Sequence, residues 1–335
     1  MSSTKVFFKI HVYVGTVCAV FLLIIASTGI VLGFYDQLRY SYPPYKLTTP
    51  VDHSLAPTIL VEKIRSAYPK HQLIQLSLST APDRAAVAKL EGNHNDNQLV
   101  FVNPGTGVIF AYQRLDYQDG LSFIHSLHHG KPFGLVGRII ASISGISLLI
   151  LWLVGLILWW RHSSRIYAWQ GKSWRIKLRS VHRWLGLILG GILALLAILG
   201  ALLNFDKPLK QWLNPPPHIK IREIDTQQSF DLERAIAQGS VAYPGVHLDR
   251  IYFPTPDNYL LQLHFKDGAY VYLHGVDGRV IKIDSISSHW TNWLYSFHTW
   301  RFLETGRSWV IAVLGATLLL LVGSGFLTYW RKRFH

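Results

Sequence analysis

Four histidines recur at matching places in two halves of the chain. His11 aligns with His182 and His128 aligns with His298, at an offset of about 170 residues. Histidine is a common neutral metal ligand, and two histidines from facing helices can fill both axial positions of a haem iron. The pattern therefore predicts two bis-histidine haem centres that carry electrons. The alternative is that these are interfacial histidines bonded to lipid headgroups or to neighbouring carbonyls.

Glycines repeat together with the histidines. The matched pairs are Gly15 with Gly186, Gly29 with Gly200, Gly107 with Gly278, and Gly155 with Gly325. The spacings Gly29-x-x-x-Gly33 and Gly186-x-x-x-Gly190 would let helices approach closely, or leave room for a flat macrocycle. Helix packing alone explains these spacings equally well.

Apolar runs place the chain in a membrane. Half of the residues are apolar and 16% are charged. Crossing the hydrocarbon layer takes roughly 20 helical residues. Four runs are long enough, namely 10–32, 139–160, 184–203 and 309–330. The first run lacks the cleavage site of a signal peptide and carries the repeat, so we interpret it as a true span.

The charges predict an orientation. The N-terminal tail, the 161–183 connection and the C-terminal tail hold twelve basic residues and no acidic ones, whereas all nineteen Asp and Glu lie in 36–119 and 206–304. By the positive-inside rule both termini and the connection are cytoplasmic, and the two polar blocks are external. The net charge of +14 is therefore mostly a topology signal, which disfavours nucleic acid as a partner.

Each polar block has the pattern of the same small α+β module. A helical pattern opens the blocks at 57–68 and 231–243, and a proline follows each. Alternating, strand-like runs come next. They are 72–78, 85–90, 99–102 and 108–112 in the first block, and 248–253, 259–265, 270–273 and 279–283 in the second. The predicted fold class is a membrane protein with an α-helical four-span bundle, two external α+β modules and an internal duplication.

Aromatic, amphipathic segments precede the second and fourth spans and resemble interfacial helices, because Trp and Tyr favour the membrane surface. His128 and His298 lie on these segments, whereas His11 and His182 lie at the inner ends of spans one and three. Depth therefore pairs His128 with His298 on the external side and His11 with His182 on the cytoplasmic side. The predicted segments are the first span (1–35), module 1 (36–116), interfacial helix and second span (117–162), cytoplasmic loop (163–181), third span (182–205), module 2 (206–286), and interfacial helix, fourth span and tail (287–335).

Two more histidines are weaker candidates. His125 and His129 share roughly one helix face with His128, so either could be a haem ligand or contact a substrate at the external face. Their counterparts in the second half are Tyr295 and Thr299. The alternative is an ordinary polar residue at the membrane interface.

Three arginines near the outer span ends are also candidates. Arg138 lies at the second span, and Arg301 and Arg307 precede the fourth. Guanidinium groups there could bind haem propionates or an anionic ligand. Snorkelling to lipid headgroups is the alternative.

Several cofactor motifs are missing from the sequence. Cys18 is the one cysteine, so there is no C-x-x-C-H for covalent attachment, and any haem b is non-covalent. The sequence also lacks a G-x-G-x-x-G in a strand–turn–helix context and a Walker A motif. We therefore see no flavin, nicotinamide or nucleotide site, and we expect a separate cytoplasmic reductase or a membrane quinol as electron donor.

Three motifs together resemble a known family. They are V-H-R-W-L-G-L at Val181–Leu187, an N-P-x-T-G turn that begins at Asn103, and the outer histidines in S-L-H and S-F-H contexts. The chain is similar over nearly its whole length to PepSY-associated transmembrane helix proteins, and most of all to ferric-siderophore reductases of the FoxB and PiuB type. The resemblance implies a bacterial inner-membrane, di-haem b oxidoreductase with His11, His182, His128 and His298 as ligands.

The predicted function is a transmembrane reductase that reduces an Fe(III) siderophore, or another Fe(III) chelate, at the periplasmic face and releases Fe(II). One alternative is a non-redox protein whose membrane-anchored modules bind a peptidase or envelope protein. A further alternative is a divalent-metal transporter that uses the histidines directly. The spans lack mid-membrane carboxylates and give no sign of the broken helices that are typical of such a path.

Overall fold

The computed structural model describes residues 3–79, 81–93, 96–115, 119–161, 173–213, 215–219, 231–285, 290–303 and 306–330. Much of the predicted cytoplasmic loop, the start of the second aromatic segment and the basic C-terminal tail lie outside these ranges. The chain divides into two compact units. We call them the membrane unit (1–35, 120–209 and 293–335) and the sheet unit (36–119 and 210–292).

In each half a group of helices is followed by four strands and then by two further helices. The helices are α1 (Ser3–Gly33), α2 (Tyr35–Arg39), α3 (Pro57–Ala67), α4 (Gly120–His128), α5 (Gly134–Arg161), α6 (Trp174–Ile188), α7 (Gly190–Leu203), α8 (Asp206–Leu213), α9 (Leu232–Ala242), α10 (Trp290–His298) and α11 (Arg307–Trp330). The strands are β1 (Gln72–Ser77), β2 (Ala86–Glu91), β3 (Gln98–Val102), β4 (Ile109–Arg114), β5 (Leu248–Tyr252), β6 (Leu260–Phe265), β7 (Tyr270–His274) and β8 (Val280–Asp284). Each strand overlaps one of the eight predicted runs.

Three helices of the membrane unit are long and apolar enough to cross a membrane. They are α1, α5 with the short helical turn before it, and α11. The pair α6 and α7 passes the same test only when it is counted as one span, and its two helices meet at an angle of 59°. The chain therefore has three such helices, or four with the bent pair, among the residues that the structure describes.

The bend in the third apolar segment was not predicted. The expectation that the spans would be unbroken is wrong here, because the helix is interrupted at Leu189. The indole of Trp152 on α5 fills the space beside the next two residues, where a Cβ on Gly190 would lie 2.7 Å from its Cδ1 and a Cβ on Gly191 3.0 Å from its Cζ2. Two adjacent glycines thus leave the helix without side chains where a large ring packs against it.

Small residues bring the helices of the membrane unit close together. A Cβ added at Gly145 on α5 would lie 2.8 Å from the Ala197 carbonyl oxygen of α7, and one at Gly315 on α11 would lie 2.5 Å from Ile30 of α1. Gly145 and Gly315 occupy equivalent positions in the two halves. Such close approach is typical of helix packing in membranes, where dispersion contacts replace the hydrophobic effect.

The sheet unit holds one antiparallel sheet in the order β4-β3-β2-β1-β5-β6-β7-β8. The sequence predicted two modules, one in each polar block, and their strands join into this one sheet through β1 and β5, where Leu76 pairs with Ile251. Without this pairing each half would present β1 or β5 as an exposed sheet edge. Pairing removes both edges and makes the two halves of the unit continuous.

Helices α3 and α9 cover one face of this sheet. Leu60, Val61 and Ile64 of α3 are buried, at spacings that place them on one side of the helix, and they join a core with the alternate strand residues Ala88 and Leu90. At the start of α9 the side chain of Asp231 accepts a hydrogen bond from the Arg234 amide at 3.0 Å. The core therefore forms from alternate residues of the predicted strands and from one face of the predicted helix.

Local polar contacts fix the turns and one loop. The amide oxygen of Asn103 accepts bonds from the Gly105 and Thr106 amides at 2.9 and 3.2 Å. The turn ends at Gly107 with φ of 70°, a left-handed conformation that favours glycine.

Elsewhere in the sheet unit, the Tyr243 hydroxyl donates to Asp267 at 2.6 Å, and this carboxylate raises the pKa of Tyr243 to about 12.

Candidate metal centres

The structure brings the four repeated histidines together as two pairs. The ring centres of His11 on α1 and His182 on α6 lie 6.1 Å apart, with the ring planes at 85°. The ring centres of His128 and His298, the last residues of α4 and α10, lie 6.5 Å apart at 48°. Each pair takes one histidine from each half of the chain. We call these the inner pair and the outer pair.

Hydrogen bonds fix the tautomer of the outer pair. The Nδ1 of His298 lies 2.9 Å from the Leu196 carbonyl oxygen, which can only accept, so Nδ1 carries the proton. The Nδ1 of His128 lies 2.9 Å from the Thr28 hydroxyl. This hydroxyl donates its hydrogen to the Ile24 carbonyl at 2.6 Å, and therefore accepts from His128. In both neutral rings the Nε2 lone pair is left available for a metal.

The inner pair has one ring held by hydrogen bonds. The Nδ1 of His182 lies 3.0 Å from the Leu321 carbonyl and 3.0 Å from the Ser324 hydroxyl. The carbonyl of Leu151, which is equivalent to Leu321 in the repeat, lies near the His11 ring. It does not reach normal hydrogen-bond geometry, and His11 Nδ1 has no partner among the described residues.

Each of the four rings packs against a glycine on a neighbouring helix. A Cβ added at that glycine would lie within 3.5 Å of the Cε1 atom of the ring. The distances are 3.5 Å from Gly155 to His11, 3.3 Å from Gly325 to His182, 3.3 Å from Gly29 to His128 and 2.8 Å from Gly200 to His298. Two glycine positions, repeated with the histidines, therefore leave the space that the rings occupy.

The spacing of each pair fits a haem iron between the rings. With a metal–nitrogen bond of about 2.0–2.1 Å and about 1.1 Å from nitrogen to ring centre, two imidazoles on opposite sides of one metal have ring centres about 6.3 Å apart. The observed values of 6.1 and 6.5 Å lie on either side of this distance. A haem macrocycle would supply the remaining ligands of such an iron, so two histidines are enough to hold it. Within the described ranges, no group of three or more His, Cys, Asp and Glu could hold a bare metal ion.

His125 and His129 lie beside the outer pair. Their ring centres are 4.7 Å apart, and that of His129 is 5.8 Å from that of His128. The Nδ1 of His129 lies 2.9 Å from the side-chain oxygen of Asn204. His125 and His128 of α4 and His129, the residue after it, thus form one cluster, and no ring contact pairs His125 or His129 with His298 in the described part of the chain.

The candidate arginines lie in different surroundings. Arg138 donates to the Asn204 carbonyl and its guanidinium lies 5.1 Å from the centre of the Phe205 ring, while its buried Nε has no partner among the described residues. Arg301 is exposed and lies over the Tyr295 ring, and Arg307 begins α11. Arg138 is therefore the arginine of the three that joins the network around Asn204 and His129.

The turn after each outer histidine has a left-handed residue. Gly130 lies two residues after His128 and has a φ of 71°, and Trp300 lies two residues after His298 and has a φ of 54°. Glycine adopts this conformation freely, but a bulky side chain there is strained by about 1–3 kcal/mol. Packing of Trp300 against the bundle core and Phe302 holds it in place. The same turn is thus kept in both halves although its residue differs.

Sequence reasoning missed the residues that support the rings. Thr28 and Ser324 were not candidates, because isolated hydroxyl residues are common in membrane helices. The four ring-contacting glycines were recognised as repeated, but their contact with the histidines was not predicted. Their offset, which equals that of the histidines, is the signal that could have identified them.

One comparison with known proteins identifies the chain. The profile of the PepSY-associated TM region family matches residues 8–182 and matches again at 179–335. The two matches together span nearly the whole chain and coincide with the internal duplication. No curated protein matches the sequence. The chain therefore belongs to the PepSY-associated TM region family of membrane proteins.

Proposed function

We propose that the protein is a transmembrane electron-transfer reductase with two non-covalent b-type haems. His11 and His182 would hold one haem, and His128 and His298 the other. The observation that carries this proposal is that both pairs have the ring spacing of a bis-histidine iron, and three of the four rings have a fixed Nδ1 proton. A haem held by two protein histidines would supply one-electron transfer.

The proposed topology has four spans, with the bent α6–α7 pair counted as one. Both termini and the 163–181 loop are cytoplasmic, and the sheet unit is periplasmic, in a bacterial inner membrane. On α1, His11 lies 18 residues before Gly29, the residue that contacts His128. At about 1.5 Å per residue the two centres are separated by about 27 Å along the helix. They would therefore lie near opposite faces of the hydrocarbon layer.

When bound, each haem would supply an iron that carries one electron at a time. The protein's own residues do the rest of the work. The Thr28 hydroxyl and the Leu196 and Leu321 carbonyls hold the imidazole rings in one orientation. The Nε of Arg138, which has no partner among the described residues, is a donor to which a haem propionate could bind.

A groove of about 450 Å³ beside the inner end of α1 is where we place the approach of the electron donor. Phe8 and Tyr13 supply aromatic walls, and Lys5 and Lys9 supply positive charge. His11 lies on the same helix, between Phe8 and Tyr13 in the sequence. An aromatic, basic groove suits a membrane quinol or an acidic patch of a cytoplasmic reductase.

The proposed acceptor is an Fe(III) siderophore or another Fe(III) chelate at the periplasmic face. Hard oxygen ligands bind Fe(III) much more tightly than Fe(II), so one electron is enough to loosen the iron. The resemblance to ferric-siderophore reductases supports this substrate class.

The absorption spectrum of the purified protein tests the proposal. A redox-sensitive Soret band with two haems per chain is expected. Alanine at either residue of one pair should remove about half of the haem, since two ligands share each iron. A colourless protein from haem-sufficient cells would refute the proposal. Loss of all haem from any one of these variants would argue against two separate centres.

The bend at Leu189 favours divalent-metal transport as a second candidate, because broken helices often form ion sites in transporters. Uptake of metal into proteoliposomes separates the two functions. A transporter would move the metal ion without a reductant, whereas a reductase would release Fe(II) only when electrons are supplied.

A further inference from the structure

One asymmetry breaks the duplication at the outer pair. The first half has His125 and His129 on either side of its ligand candidate, whereas the second half has Tyr295 and Thr299 at those positions. The four proposed haem ligands are present in both halves, whereas this histidine pair is present in only one. A binding site for a single substrate-derived ion is needed once, so an unduplicated histidine pair fits such a site.

We propose that His125 and His129 form a binding site for a divalent first-row metal ion, which takes up Fe(II) as it leaves the reduced chelate. The inference rests on the proposed function only in naming the reduced chelate as the source of the Fe(II). The metal site itself is argued from the geometry of the two histidines.

The ring spacing distinguishes this pair from the inner and outer pairs. With the same bond lengths, two imidazoles that bind one metal side by side have ring centres about 4.5 Å apart at a right angle and about 5.1 Å apart at a tetrahedral angle. The ring centres of His125 and His129 lie 4.7 Å apart. The spacing therefore suits two adjacent ligands of one ion, whereas spacings of 6.1 and 6.5 Å suit opposite ligands.

The Asn204 side chain prepares one of the two ligands. Its amide nitrogen donates to the Ser142 hydroxyl at 3.3 Å and the Arg138 carbonyl at 3.4 Å. This places the amide oxygen towards His129 Nδ1 at 2.9 Å, so Nδ1 carries the proton and Nε2 keeps its lone pair. A ligand oriented by a second residue is typical of metal-binding histidines.

Two histidines alone form an incomplete coordination shell. The chelate or water would fill the remaining positions, which suits an ion that must be passed on rather than kept. One electron delivered at the outer pair converts Fe(III) of the chelate to Fe(II). The Fe(II) then exchanges chelate oxygens for the two imidazole nitrogens, which are better ligands for the softer ion. No proton or further reductant is consumed in this exchange.

Equilibrium dialysis of the full-length, detergent-solubilised protein against Co²⁺ tests the site. The experiment uses protein prepared without a histidine tag, and bound cobalt and bound haem are measured separately. We expect one cobalt per chain beside the two haems. The variant with both His125→Tyr and His129→Thr, which copies the second half, should bind cobalt at least about tenfold more weakly and keep both haems. The matched control, Tyr295→Ala with Thr299→Ala, should bind cobalt as the unchanged protein does.

Two results would overturn the inference. One is a protein with both haems that binds no cobalt, and the other is equal cobalt binding in the unchanged protein and the His125→Tyr, His129→Thr variant. Either leaves the proposed function intact. A protein that holds no haem would overturn the proposed function, and the cobalt measurement would still decide the site.

Discussion

The substitution Gly200→Ala tests whether the ring of His298 must stay where the structure places it. The added Cβ would lie 2.8 Å from His298 Cε1. Carbon atoms pack at about 3.5–4.0 Å, so the ring must retreat by about 0.7 Å or more. Its bond to the Leu196 carbonyl, at 2.9 Å, would be stretched by that movement. Because a ligand must stay within about 0.5 Å of its productive position, we expect the outer haem to be lost.

Other glycines provide a graded series and controls. At Gly29 and Gly325 the added Cβ would lie 3.3 Å from the ring, so a shift of about 0.2 Å restores normal contact. These variants should keep both haems with altered midpoint potentials. At Gly15 and Gly186 the nearest atoms belong to leucine side chains at 3.6 and 3.7 Å. Alanine at either of these control positions should leave both haems unchanged.

The assay is the ratio of haem to protein in the solubilised variants, with thermal unfolding measured in parallel. The ratio should fall from two to about one in Gly200→Ala. Alanine in a helix interior is otherwise about 0.5–1 kcal/mol more stable than glycine, so the controls should not melt earlier. Two haems with unchanged potentials in Gly200→Ala would refute the reasoning, as would equal haem loss in the controls.

Three further substitutions have expected outcomes. Thr28→Val removes the acceptor of the His128 Nδ1 proton, and should weaken outer-haem binding about 10- to 100-fold in a haem-transfer assay. Gly190→Ala forces the Trp152 ring to shift and should lower the free energy of unfolding by about 1–3 kcal/mol, less so when combined with Trp152→Phe. The raised pKa of Tyr243 contributes stability that is present below pH 10 and lost as the pH rises towards 12. Tyr243→Phe should therefore flatten the alkaline fall in melting temperature.

The sequence was informative where one local pattern decides the outcome. Alternating residues such as Ala86, Ala88 and Leu90 fix the face of a strand that is buried, and all eight strands were predicted from such patterns. Repetition added a second kind of information, because residues at equal positions in two copies of the same orientation are expected at equal depths. Depth alone was enough to bring His11 together with His182.

Contacts between distant segments could not be predicted in the same way. Trp152, whose ring packs beside the bend at Leu189, lies on another helix, and glycines such as Gly190 and Gly191 are also common in straight membrane helices. The joining of β1 and β5 into one sheet depends on which edges remain unpaired after each half has folded. Neither Thr28 nor Ser324 differs in type or spacing from hydroxyl residues that only bond to their own helix.

The antiparallel pairing of β1 with β5 has a consequence for the origin of the chain. Equivalent strands of two copies pair antiparallel when a two-fold axis runs between them, and both histidine pairs likewise take one member from each copy. A protein of half this length would therefore hold one member of each histidine pair and an open strand edge. A symmetric dimer of it would complete both pairs and join the two sheets. Within one chain, each copy is free to differ from the other. The divergence of His125 and His129 from Tyr295 and Thr299 is a change that a symmetric dimer could not have made.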